Sequence, residues 1–412
     1  MKETPLDPAL PQRAMSESTP VQPLRGVRVL DGADEKGEFC GRLLADMGAE
    51  VIRLEPPGGA DSRGFGPFAR TPDGRTASLY FGLRNAGKRG ITLDLDQPAG
   101  RELLHQLLDR VDIWIETSKP GVLEARELAP DSVLERHPQL VMTSLTDHGR
   151  TGPYREFEGT STTAFAMGGM MHRSGAADRP PCQAPGHLAY DAAGVCAAFP
   201  TLVAYYQRLK TGRGQHIDCS VQESIVAMVD WSIPNGSIGG AIMPRNGPGM
   251  YPLFKCQDGY VRMIILVPSH WRALLAWIGT PPELADPKFE QFLERLMNQA
   301  LINEKIAEFF GSQKQLDVCR EGQRLGLPVT PLLEPAQVLD NEHTRARGTF
   351  RQLEIEPDFP VTLPSGFLHL DETRVGPAGG PPALGQDNPR IYGDELGVST
   401  DELAALRDQG AI

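Results

Sequence analysis

The first 150 residues alternate short β-type runs with helical stretches, and that rhythm is the strongest restriction on the fold. Val27-Arg28-Val29-Leu30-Asp31 is a strand-like run. Glu38 to Met47 then has helical spacing, with Phe39, Leu43, Leu44 and Met47 on one face, and Gly48 stands where a C-cap glycine ends a helix. Val51–Leu54, Ile91–Leu95, Ile113–Ile115 and Val141–Leu145 read as further strands. Gly100 to Leu108 reads as a helix whose Leu103, Leu104, Leu107 and Leu108 form a buried stripe. Such a βαβα order implies an α/β fold, a parallel sheet with helices on both faces. Farther on, Asp191–Lys210 reads as a long Ala-rich helix, Gln215–Ser220 as a strand and Val221–Trp231 as a helix.

The composition then shifts. Residues 232–252 are rich in glycine and proline and read as a linker. A smaller α+β unit follows over 253–342, with a strand at Gly259–Leu266 and helices at Trp271–Ile278 and Asn298–Phe310. Residues 343–412 return to short strands and prolines and end in a helix at Asp401–Asp408. With 23–231 they are expected to complete the large domain. Residues 1–22 have neither the basic start nor the apolar stretch of a signal peptide, and read as a flexible leader on a cytoplasmic protein. No apolar run looks close to the roughly 20 residues that cross a bilayer.

Six scattered cysteines without C-x-x-C spacing argue against a disulfide framework and against a zinc site, so no metal is expected. The net charge of −12 argues against a nucleic-acid partner. An anionic ligand then needs a local basic patch, and Arg84, Lys88 and Arg89 form one before a predicted strand. The bland reading is a solvated basic turn. Gly82 to Lys88 also fits G-x-x-x-x-G-K, but Arg89 replaces the hydroxyl residue of a P-loop and a strand follows instead of a helix.

Several segments in order carry a family resemblance: Leu24–Asp31, Leu43-Leu44-Ala45-Asp46-Met47-Gly48-Ala49-Glu50-Val51-Ile52-Arg53-Leu54-Glu55, Asn85–Arg89, Gly152-Pro153-Tyr154, Thr211-Gly212-Arg213-Gly214-Gln215, Ala383-Leu384-Gly385-Gln386 and Leu403–Ile412. From Pro23 onward the chain resembles the family III CoA-transferases, whose superfamily includes the α-methylacyl-CoA racemases. The resemblance implies a Rossmann-like large domain built from both chain ends, a small domain, and two subunits interlocked as rings. It implies coenzyme A and acyl-CoA as substrates, a carboxylic acid as partner, and a second CoA-transferase chain, identical or paralogous. CoA would meet Arg53, Lys88 and Arg89, and a glycine loop at Gly247 and Gly249 would close over the acyl group; a plain hinge is the alternative there. Phe165–Met171 and Met243–Tyr251 would line an apolar, Met-rich acyl pocket.

The position aligned with the family's nucleophilic aspartate holds Ser161. A serine ester is less activated than an acyl anhydride, and no G-x-S-x-G elbow surrounds Ser161. A helix cap at Thr160 or Ser161 is the structural alternative. Asp191, in a segment resembling the family's "GDxxxG", is the other carboxylate of interest, as a base or as a cap of its own helix, with His187 four residues before it. Three functions follow: half of a CoA-transferase whose aspartate lies on a partner chain, an acyl-CoA isomerase, racemase or lyase using Asp191, or a non-catalytic acyl-CoA-binding subunit.

Overall fold

The computed structural model describes residues 22–229, 232–240, 245, 252–371 and 373–412. The expected leader and most of the glycine loop, including Gly247 and Gly249, lie outside the described residues.

The chain divides into two compact units. The first takes the residues up to Glu156, Ala193–Cys219 and Gly348–Ile412. Its centre is a six-stranded sheet of β1 (Arg28–Gly32), β2 (Glu50–Glu55), β3 (Arg89–Thr92), β4 (Ile113–Glu116), β5 (Val141–Thr146) and β6 (His216–Ser220), in the order β3-β2-β1-β4-β5-β6. The pairs among β1 to β5 are parallel; Leu30, for example, lies beside Ile52 and Trp114. Helices α1 (Glu38–Asp46), α2 (Leu79–Asn85) and α3 (Pro98–Leu108) connect strands. Parallel neighbours need such crossovers, which fits the burial of β1, β2, β4 and β5 on both faces.

Leu103, Leu104, Leu107 and Leu108 of α3 are buried against Leu30, Ile52, Ile91, Trp114 and Met142, together with Ile391, Tyr392 and Ile412 from the chain's end. The C-terminal segment also covers the sheet edge. Gly90 N–H donates to Asp387 Oδ2 at 2.8 Å, and Thr92 N–H donates to Asn388 Oδ1 at 2.9 Å. An exposed edge strand would be open to pairing with other chains, so these side chains complete the sheet. Residues 30–142 and the C-terminal segment thus share one core.

The second unit takes Phe157–Ala192 and Ser220–Arg347. It therefore includes 157–192 and 220–231, which the sequence reading assigns to the large domain. The physical reason is packing within this unit. Helix α4 (Ser161–Met167) ends at Gly168, where a Cβ would fall 2.5 Å from Ile225 Cγ2 on α6 (Val221–Met228). Beyond the linker, β7 (Leu253–Lys255), β8 (Tyr260–Met263) and β9 (Val329–Pro331) form an antiparallel sheet. It packs with α7 (Pro268–Trp277), α8 (Gln299–Gly311) and α9 (Gln315–Arg324) around Phe254, Val261, Trp271, Leu274, Ile306 and Phe310.

Helix α5 (Leu188–Thr211) begins three residues before its predicted start. By length and composition it is apolar enough to cross a membrane, which corrects the reading that no such run exists; 44% of that window is buried within the protein. Phe199, Tyr206 and Leu209 on it are exposed.

Candidate functional site

The basic segment comes first, because the sequence reading places CoA phosphates there. Lys88 precedes β3, and the structure turns its ammonium into the core. Nζ donates to Asp31 Oδ2 at 2.6 Å, to the Glu38 carbonyl at 2.8 Å and to Asn85 Oδ1 at 2.8 Å, so all three donors are engaged. Arg53 on β2 is also buried; it donates to Glu38 Oε1 at 2.9 Å and to the Ala33 carbonyl, and lies 3.7 Å from Asp31 Oδ1.

Two carboxylates and two cations thus form a neutral buried quartet. Burial pushes the Lys88 amine below its ordinary range, against the pull of Asp31. For Arg53, Glu38 and Asp31 outweigh burial and hold the guanidinium above its ordinary value. Gly41 of α1 makes the approach possible, since a Cβ there would sit 2.2 Å from Asp31 Oδ2. Protein acceptors therefore hold the side chains of Arg53 and Lys88, which the sequence reading expects at CoA phosphates. Sequence reading missed this because Asp31 and Glu38 are far from Lys88 along the chain. Arg89 stays partly exposed, 3.3 Å from Glu50. Arg84 is buried with its guanidinium over the Tyr80 ring.

A cavity of about 540 Å³ opens beside Lys88, lined by Arg63, Ser78, Phe81, Glu354, Pro382 and Gln386 among others. Its arginine is already paired: Arg63 grips both oxygens of Glu55 at 2.7 Å, and this holds the Glu55 carboxyl below its ordinary range despite burial. The acidic Glu354 and Glu356, which also line it, make it a poor phosphate site.

The strand order locates a second candidate. The chain builds outward from β1 through β2 to β3, then returns to place β4 on the other side of β1. In open α/β sheets ligands bind outside the carboxyl ends of the strands at such a reversal. Here the loops after β1 and β4 meet directly: Asp34 N–H donates to Thr117 Oγ1 at 2.8 Å. Gly37 keeps the junction tight, since a Cβ would lie 2.9 Å from Thr117 Cγ2. Lys36 lies 2.5 Å from Asp34 Oδ2, and Lys119 is exposed in the β4 loop.

The carboxyl groups here are less ionised than usual. Burial raises Glu35, Glu116 and Asp147 above their ordinary values, with Asp34 adding to the effect at Glu35 and Asp147. None of these residues stands out in the sequence, because the signal is strand order, which one sequence does not print.

In the second unit, Thr160 is the N-cap of α4, its hydroxyl accepting from Thr163 N–H at 3.2 Å. Ser161 is the first helical residue and is buried. Its hydroxyl oxygen accepts from Ala189 N–H at 3.2 Å, two residues before Asp191. Ser161 is thus a tie between α4 and the start of α5. Asp191 is half-buried in the first turn of α5, where aligned N–H dipoles favour an anion. It is past the cap position, and its own N–H donates to the His187 carbonyl at 3.1 Å. The His187 ring stacks on Tyr190. Asp191 carries a carboxylate, which Ser161 lacks.

Comparison with known proteins gives a consistent result. Residues 24–388 match the model of CoA-transferase family III. A Mycobacterium tuberculosis protein named "Probable CoA-transferase Rv1866" is 34% identical over 89% of this chain, which spans 47% of that relative's length. Succinyl-CoA--D-citramalate CoA-transferase of Chloroflexus aurantiacus is 34% identical over 97% of this chain and 100% of its own. The crystal structure of a CAIB/BAIF family protein from Brucella suis superposes with a TM-score of 0.81 at 28% identity, covering 90% of this chain and 99% of that one.

Proposed function

Because the chain belongs to CoA-transferase family III, we propose that it moves CoA from an acyl-CoA to a free carboxylic acid, with Asp191 as the group that takes the acyl chain. The observation that carries this is the hydrogen bond from Ala189 N–H to Ser161 Oγ. It ties the position aligned with the family nucleophile to the helix turn that bears Asp191.

In the proposed reaction an Asp191 oxygen attacks the thioester carbonyl carbon, the C–S bond breaks, and CoA leaves as the thiolate. The thiolate then attacks the Asp191 carbonyl of the resulting mixed anhydride, which expels the donor carboxylate and leaves Asp191 as a CoA thioester. The acceptor carboxylate attacks that thioester and expels the thiolate. The thiolate attacks the acceptor's carbonyl in the second anhydride, which frees Asp191 and yields the new acyl-CoA, every step being reversible. Arg53 and Lys88 are left out of the proposed CoA contacts, because protein acceptors already hold their side chains.

The test is the purified chain with succinyl-CoA as donor and a panel of dicarboxylic acids, followed by mass spectrometry. Asp191→Asn is expected to lower turnover by at least about 10³-fold, as the loss of a covalent catalyst does. Ser161→Ala is expected to keep most of the activity, and hydroxylamine should convert Asp191 to its hydroxamate only when succinyl-CoA is present. Full activity in Asp191→Asn would discard the reading.

A second reading has the nucleophile on a paralogous partner chain, and the missing carboxylate at Ser161 favours it. It predicts an inert pure chain that becomes active when the partner is added. An isomerase or racemase using Asp191 would instead exchange the α-hydrogen in D2O without consuming the free acid.

A further inference from the structure

The second unit holds a buried arginine that lies over the rings of Trp271 and Phe292, at 5.7 and 5.8 Å, with no carboxylate partner among the described residues. Arg295 is only 6% exposed. Its terminal nitrogens donate to the carbonyls of Phe289 at 2.8 Å, Glu290 at 3.0 Å and Leu266 at 3.2 Å. Its Nε–H meets no acceptor. Among the described residues it pairs with no carboxylate; the side chain of nearby Glu290 is held by Arg272 at 2.9 Å. Carbonyl dipoles solvate a guanidinium in part but do not neutralise it, and a buried uncompensated charge is costly. Burial accordingly pulls the guanidinium below its ordinary range, with Glu290 only partly opposing.

Arg295 lines a cavity whose other walls are largely apolar: Phe254, Met263, Trp271, Phe292 and Ile302. Phe292 is 42% exposed, so the cavity reaches the surface. The space measures about 50 Å³. One water needs roughly 10–15 Å³ on this scale, which leaves room for about four non-hydrogen atoms. Aromatic and aliphatic walls favour a methyl or methylene group, and the unpaired N–H favours an oxyanion.

We propose that this pocket binds an acetate-sized monocarboxylate, its carboxylate on Arg295 Nε and its methyl group among the apolar walls. The ligand would supply the negative charge that the fold withholds from Arg295. The chemistry is independent of the transferase reading and of Asp191.

The experiment is NMR line broadening of 13C-acetate by the full chain, with acetate replacing chloride at constant ionic strength and acetamide as the neutral isostere. The expected result is saturable acetate binding in the millimolar range and none for acetamide. Arg295→Gln should weaken acetate binding by at least about tenfold, the scale of one hydrogen bond to a charged group. Since Arg295 also ties three carbonyls, Arg295→Gln could fail to fold. Ile302→Phe decides the matter in that event, because it keeps the guanidinium and fills the cavity. Loss of acetate binding in folded Ile302→Phe supports the pocket. Unchanged binding in that variant, equal binding of acetamide, or no saturation in the wild type overturns it.

Discussion

Lys88 and Arg295 are both basic residues buried to the same degree, and they sit in opposite electrostatic circumstances. Lys88 belongs to a quartet in which Asp31 and Glu38 balance it and Arg53, with every ammonium hydrogen engaged. Arg295 has carbonyl acceptors and the rings of Trp271 and Phe292, at 5.7 and 5.8 Å, but no carboxylate among the described residues, and one N–H is left over. A cation whose charge is already cancelled is part of the scaffold, whereas one whose charge is not cancelled is a place for an anion to go. Of the basic cluster that stands out in the sequence, Lys88 is of the first kind, and Arg295, which does not stand out there, is of the second.

The largest break in this comparison comes from Lys88→Met, which strands Asp31 in the core. Removing one member of a buried ion pair costs about 3–5 kcal/mol, so urea unfolding should show a large loss with little change in slope. A loss below about 1 kcal/mol, the range of exposed pairs, would show that water reaches the quartet.

Glu116 sharpens the contrast from the acidic side, since it is buried with Arg150 no closer than 3.6 Å. Burial raises its folded-state pKa above the ordinary 4.5. Between those two values the unfolded chain has already lost a proton that the folded chain keeps, so its contribution to stability falls as pH rises through that window. Glu116→Gln should flatten that decline in denaturation curves from pH 4.5 to neutrality. An unchanged pH profile would assign the decline to other groups, Asp147 and Glu35 first.

The smallest effect is expected for Arg272→Ala. The Arg272–Glu290 pair is well exposed on both sides, and exposed pairs contribute about 0–1 kcal/mol before screening by salt. A change in unfolding free energy within about 0.5 kcal/mol is expected. A large loss would mean that Glu290 depends on Arg272 to stay away from Arg295.

The fold was legible where periodicity is strong. The apolar stripe of α3 and the runs of β1, β2, β4 and β5 appear close to where their spacing places them, because burial on both faces leaves no ambiguity. The predicted strand at Ile91–Leu95 forms earlier, at Arg89–Thr92, since the C-terminal Asp387 and Asn388 reach Gly90 and Thr92 from nearly 300 residues away. Asp191 and Ser161 were singled out by motif. That a hydrogen bond joins their helices was not readable, and neither was the capture of Lys88 by Asp31, because both depend on contacts between distant segments.

The quartet has one more consequence, for the solvents this protein can tolerate. Mobile ions weaken charge pairs only where they can approach them, within a Debye length of about 8 Å at physiological ionic strength. The side chains of Asp31, Glu38, Arg53 and Lys88 are at most 2% exposed. Brine that loosens the outer pairs of the molecule therefore leaves this lattice of charges intact, and the β1–β2–α1 corner keeps its shape across a wide range of salinity.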